Sequence, residues 1–211
     1  MSDDADDHPP ALEEKDPCVS KMAREADAAA DIVIAGDQGD LLPMSEPHTA
    51  VWDEPRQLAT LEAMRQEGKL DLIGVSNVTL EGARAAAELV DLGEVQNAYS
   101  VMDRFNEPVL DFCREREIAF VPFFPLGSAF TGGPKTLAED PAVSQVAARR
   151  GATPTQVALA WLLARYDRIL LIPGTTSVAH LEENMAAADV ALDDEDMATL
   201  EGARQVGPPQ H

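Results

Sequence analysis

The sequence predicts an α/β fold built on parallel strands, and three observations predict it. The short runs rich in β-branched and aromatic residues are apolar throughout instead of alternating, as strands covered on both faces must be. Segments with apolar residues at helical spacing separate these runs. Helix-start and helix-stop residues mark the boundaries between them.

The alternation begins at Glu54. "EPRQLATLEAMRQEG" carries Leu58, Leu61 and Met64 on one helical face and stops at Gly68. "LDLIGVS" reads as a short buried strand. "TLEGARAAAELVDLG" reads as a helix capped at its start by Thr79 and at its end by Gly93. "EVQN" is a short strand, and "NEPVLDFCRERE" a helix with Pro108 in its first turn. "IAFVPFFPL" is an apolar strand. "DPAVSQVAARRG" and "TPTQVALAWLLARYD" are helices, each with a capping residue followed by proline. "RILLIP" reads as the last strand. "SVAHLEENMAAAD" and "DDEDMATLEGAR" are helices, the second with acidic residues in its first turn. This makes four βα units after residue 68, plus a C-terminal helix.

Residues 1–53 are different in character. They are rich in Asp, Ala and Pro and are expected to be acidic and irregular, with "MAREADAAA" a candidate helix and "DIVIA" a candidate strand. The start "MSDDADDHPP" is polar and unlike a signal peptide, and no apolar run reaches the length of a membrane span, so a cytoplasmic location is expected. The net charge of −22 disfavours nucleic acid and anionic membranes as partners. Lysine occurs only at Lys15, Lys21, Lys69 and Lys135. Dense carboxylates with so few lysines predict a halophilic protein, since salt screens the self-repulsion. Cys18 and Cys113 show no metal or disulfide spacing. No metal is expected.

In parallel α/β folds the working residues lie at the carboxyl ends of the strands. Those ends read Ser76 and Asn77, Gln96 and Asn97, Phe123 with Phe124 and Leu126, then Gly174 and Thr175. The first two offer hydroxyl and amide groups suited to a neutral carboxamide. The third offers flat rings for stacking. In the fourth, "IPGTTSVAHLEEN", a glycine and three hydroxyls stand between an apolar run and a helix start. That arrangement fits either an anion at the helix N-terminus or an ordinary cap on Thr176 or Ser177. Carboxamide donors, a stacking surface and a phosphate site together describe a nicotinamide dinucleotide. There is no G-x-G-x-x-G, so the Rossmann mode is unsupported.

Five stretches, "GKLDLIGVSN", "EVQNAYSVMDR", "FVPFFPLG", "GATPTQVALAWLLAR" and "IPGTTSVAHLEEN", in this order and spacing, resemble the C-terminal half of the aldo/keto reductases, over about residues 54–203. The resemblance implies a (β/α)8 TIM-barrel family, here truncated to about the last four βα units, so that residues 54–211 form a partial barrel. It implies NADP(H) as cofactor. By that likeness Ser76, Asn77 and Gln96 hold the carboxamide, and Phe123 stands where the family usually stacks a tyrosine under the nicotinamide. Leu126 and Gly127 line the pyrophosphate. Gly174, Thr175, His180, Glu183 and Asn184 match the adenosine and 2′-phosphate pocket. The family often has lysine at the position of Gly174 and arginine at that of His180, which leaves NAD open as the alternative.

The resemblance also implies a catalytic tyrosine, lysine, aspartate and histidine, and none can be carried onto this sequence. Tyr99 matches a structural position. Tyr166 ends a helix and is expected on the outer surface, and Lys69 precedes a strand. "GDLLPMSEPHTAVWDEP" keeps traces of the family's histidine strand, but Met44 and Ser45 stand where Leu-His is expected and His48 is displaced. Residues 24–53 are therefore read as a degraded remnant. Three functions are compatible: a split reductase needing an N-terminal half-barrel partner, a non-catalytic dinucleotide-binding module, or a non-functional gene fragment. Open parallel edges also predict self-association.

Overall fold

The computed structural model describes residues 32–36, 54–127 and 132–206. Four strands form a parallel sheet in chain order: β1 (Ile32–Gly36), β2 (Leu72–Ser76), β3 (Leu92–Ala98) and β4 (Ala119–Phe123). The short strand expected at "DIVIA" is β1, shifted by one residue. The helices are α1 (Glu54–Gln66), α2 (Leu80–Leu89), α3 (Glu107–Arg116), α4 (Gly133–Glu139), α5 (Pro141–Arg150), α6 (Pro154–Arg165), α7 (Val178–Met185) and α8 (Asp194–Glu201). A 3₁₀ turn, Ala186–Asp189, follows α7.

Local chemistry sets these boundaries. Gly68 takes φ +71 just beyond α1. Thr79 accepts the Gly82 N–H at 3.1 Å and caps α2. Asp140 accepts from Ala142 and Val143 at the start of α5, and Thr153 forms a reciprocal box with Gln156 at the start of α6. Both helices carry proline in their first turn.

Two expectations fail here. Gly93 does not cap α2; that helix stops at Leu89, with Val90 as its cap, and Gly93 lies inside β3. A Cβ at Gly93 would stand 3.0 Å from the Leu72 side chain on β2, so the glycine serves close strand packing. "RILLIP" is not a strand. It meets β4 at one parallel bridge, Phe120 with Ile169, where Phe120 donates to Arg168 O and accepts from the Leu170 N–H. The next β4 residue on that edge is Pro122, which has no N–H to continue the ladder. A helix outside the sequence expectations, α4, begins inside "GGP", with Gly132 as its cap and Pro134 in its first turn.

The core lies between the sheet and the helices. Ile73, Val75, Val95 and Phe120 meet Leu58, Ala83, Leu110 and Trp161 there. Tyr99 stacks on Trp161 with ring centroids 5.6 Å apart. The Arg104 and Arg165 guanidiniums lie 5.0 and 5.1 Å from the Trp161 ring. Arg104 also donates to Leu200 O at 2.7 Å, which fastens α8 to this cluster.

Candidate functional site

Ser76, Gln96 and Val121 share one row of the sheet register, and Ala98 and Phe123 form the next. Val75, Val95 and Phe120 fill the helix-facing core, so strand alternation puts Ser76, Gln96 and Phe123 on the opposite face. All three are half-buried. Just past Ser76, Asn77 adopts a left-handed backbone, φ +56, and donates its N–H to Gln96 O at 2.8 Å. The neighbouring Val78 is gripped by the Asn97 side chain through both its N–H and its C=O. Among the described residues, the side chains of Ser76, Asn77 and Gln96 make no hydrogen bond. Three polar side chains are thus gathered at two adjacent strand ends and left unused.

Phe123 and Phe124 stand beside them, edge to face, with centroids 5.2 Å apart. Phe124 has φ +55 and is half exposed. Gly127 closes the turn by donating to Phe124 O at 2.8 Å, with φ +84 that suits glycine. Leu126 and Gly127 are half-buried in that turn.

In the loop before α7, the local hydroxyls serve the backbone. Ser177 caps α7 by accepting the His180 N–H at 3.4 Å, and Thr175 accepts the Ser177 N–H at 3.1 Å. This agrees with the capping reading of Ser177. Gly174 has no left-handed φ, and a Cβ there would meet nothing within 4 Å. His180 is exposed and Asn184 half-buried. Glu183 is committed to α6, accepting from the Thr153 hydroxyl at 2.6 Å, while its carbonyl accepts from Gln156.

Neither tyrosine is placed to deliver a proton at the strand ends. Tyr99 is buried on the helix side and donates to Glu107, and burial raises its pKa. Tyr166, expected on the outer surface, is buried. It packs at the end of α6 and donates to Cys113 O at 3.3 Å. Lys69 pairs with Glu67 at 2.5 Å, before the amino end of β2. The stretch with Met44, Ser45 and His48 lies outside the described residues, as does Cys18. Among the described residues no cluster of His, Cys, Asp or Glu could hold a metal, and no helix is long and apolar enough to cross a membrane.

The aldo/keto reductase family profile matches residues 36–205, most of the chain. The chain belongs to the aldo/keto reductase family. It is 46% identical over 145 residues to pyridoxine 4-dehydrogenase of Escherichia coli, covering 69% of this chain and 49% of that protein. Among solved structures, a Klebsiella pneumoniae aldo/keto reductase in complex with NADP and acetate superposes with TM-score 0.66 at 25% identity, over 81% of this chain and 57% of that one. Aldose reductase from Giardia lamblia gives TM-score 0.67 at 21% identity, over 87% and 66%, a likeness of fold. This aldo/keto reductase chain spans about half the length of the curated relatives it matches.

The roles of two residues emerge only from the fold. Asn97 was noted at its strand end, but its grip on Val78 needs the fold. Glu94 is buried, 4% exposed, and burial raises its carboxyl pKa. The signal for it was present: a single acid opening the apolar strand "EVQN", opposite the glycine of "LIGVS".

Proposed function

We propose that this chain binds a nicotinamide dinucleotide, NADP(H) or NAD(H), across the ends of β2, β3 and β4 and the loop before α7, as the cofactor-holding part of an aldo/keto reductase. The observation that carries the reading is the unused polar trio Ser76, Asn77 and Gln96 at the ends of β2 and β3, with Phe123 one register row further on the same face as Ser76 and Gln96. Their donors and acceptors fit a carboxamide, and an aromatic face fits a flat ring. Leu126 and Gly127 would border the pyrophosphate. Gly174, Thr175, His180, Glu183 and Asn184 would take the adenosine end, and the open space at Gly174 fits close approach of a ligand to backbone. The crystallised Klebsiella relative with NADP supports the same cofactor.

A bound dinucleotide supplies hydride for carbonyl reduction. The chain's described residues orient it; they offer no tyrosine–lysine pair to protonate the alkoxide. We therefore read the chain as inactive by itself. Complementation by the N-terminal part of a reductase barrel is the first reading. A non-catalytic binding module is the second, favoured by the burial of both tyrosines on the helix side.

Titrating NADPH fluorescence tests binding. Saturable enhancement, weakened by Asn77→Ala and Gln96→Ala, is expected, and no response at any concentration ends the proposal. Aldehyde-dependent NADPH oxidation by the chain alone would overturn the claim of inactivity. Activity appearing on adding a reductase N-terminal half would favour complementation.

A further inference from the structure

Phe124 stands in a backbone that its own side chain opposes. Its φ is +55, in the left-handed region that bulky L-residues avoid. It also precedes Pro125, whose ring presses the preceding residue towards extended backbone. Two other non-glycine residues among those described, Asn77 and Glu117, share a positive φ. Asparagine visits this region readily, and Glu117 ends α3, where a left-handed residue is common. Phe124 has neither reason. The turn closed by the Gly127 N–H on Phe124 O asks only for a carbonyl at this place, and glycine or asparagine would supply one with less strain.

Burial does not account for the phenylalanine either, since it is 51% exposed. What the left-handed backbone achieves is a placement. Continued as strand, residue 124 would point to the face opposite Phe123. Instead the two rings lie with centroids 5.2 Å apart and planes at 83°, too close for opposite faces of a strand. Phe123 lies one register row beyond Ser76 and Gln96, on their face of the sheet. The strain therefore brings a second, open ring to the side of the unused polar groups, where the two rings make a right-angled corner. Strain held at an exposed side chain beside such groups marks a ligand-binding position.

We propose that Phe124 is a binding residue for the nicotinamide ring, the second wall of an aromatic corner whose first wall is Phe123. The inference rests on the binding reading given above. A flat ring stacked on Phe123 meets Phe124 edge to face, an arrangement that aromatic rings favour. The contact also removes apolar surface of both rings from water.

The test compares wild type with Phe124→Asn, which suits the left-handed backbone but has no ring, and Phe124→Tyr, which keeps the ring. Phe124→Asn should melt a few degrees higher without cofactor, because the strain is relieved. It should bind NADPH about tenfold more weakly or worse. The fluorescence of NADPH comes from its dihydronicotinamide, so at saturation the emission of the bound cofactor should move towards that of free NADPH. Phe124→Tyr should keep wild-type affinity and emission. Wild-type affinity in Phe124→Asn, with Asn77→Ala still weakening binding, would overturn the role of Phe124 and leave the binding site standing. Weaker binding with unchanged bound emission would put the ring against another part of the cofactor and overturn the nicotinamide assignment. A lower melting temperature or failure to fold in Phe124→Asn would show the ring to be a structural support, and loss of affinity in Phe124→Tyr would show that the ring is not what binds. No wild-type binding of NADPH would overturn both this inference and the reading beneath it.

Discussion

Asn97 holds Val78 by both backbone polar groups, donating its side-chain N–H to the Val78 carbonyl at 2.7 Å and accepting the Val78 N–H at 3.0 Å. Its amide also donates to Asn106 Oδ1 at 3.0 Å, and Asn106 donates in turn to Ala98 O. One buried amide thereby joins the end of β3 to the loop after β2 and to the start of α3. Asn77 is the loop residue with the left-handed backbone, so Asn97 fixes a candidate site residue without lining the site.

Asn97→Ala should therefore destabilise the fold by about 2–4 kcal/mol, since it orphans a backbone N–H and a C=O in a half-buried place and leaves a small cavity. Urea unfolding measures this. NADPH affinity should fall too, because Asn77 is no longer held. A loss below about 0.5 kcal/mol, the level of an ordinary surface change, would contradict the clamp.

Sequence reading found the parallel α/β class because buried strands and capped helices each leave a local mark. Thr79, Asp140, Thr153 and Gly68 announce helix ends by side-chain chemistry acting within four residues. Gly93 misled because a glycine that ends a helix and one that admits a neighbouring strand look alike until Leu72 is in place. "RILLIP" misled because its pairing depends on Pro122, about fifty residues earlier in the chain. Ser76, Gln96 and Phe123 were legible as strand ends. That Ser76 and Gln96 stand in one row, with Glu94 beneath, is a fact of register that composition does not encode.

Cys113 should be inert in the native protein. It is fully buried among core residues, and burial pushes its thiol pKa up to about 12. At pH 8 almost no thiolate forms, and no reagent reaches the sulfur. In a Cys18→Ser variant, a colorimetric thiol reagent should show no reaction in buffer and one thiol per chain in denaturant. Fast native labelling would mean that α3 opens readily.

Folding should strengthen with salt. The net charge is −22, and the buried ion pairs do not offset it: Asp196 is fully buried and paired with Arg149 and Arg150. Such a pair is screened little, whereas exposed like charges are screened within about 3 Å at 1 M salt. The melting temperature should therefore rise from dilute buffer to molar KCl, with a gain in helical circular dichroism if the dilute protein is partly unfolded. Equal melting temperatures in both solutions would show that the acidic surface is neutral to folding.

The chain should discriminate poorly between NADPH and NADH. The two cofactors differ by one phosphate at the adenosine end, and selective sites meet that phosphate with fixed cations. The segment from Ile172 to Val190 contains no lysine or arginine, and it carries Glu182, Glu183 and Asp189. Glu183 is already engaged with Thr153. What remains for a phosphate is a set of hydroxyls and backbone N–H groups around Thr175 and Ser177, partly occupied by one another. A hydrogen bond to a charged group contributes about 1.5–3 kcal/mol, so each absent cation removes roughly tenfold or more of preference. Fluorescence titration should give NADPH and NADH affinities within about tenfold of each other. Gly174→Lys is sterically free, because the position has an ordinary φ and a Cβ there meets nothing within 4 Å. Together with His180→Arg on the exposed start of α7, it should shift the ratio towards NADPH by at least about tenfold. A strong native preference for NADPH would mean that cations from elsewhere reach this pocket, and an unchanged ratio in the double variant would move the adenosine end away from α7.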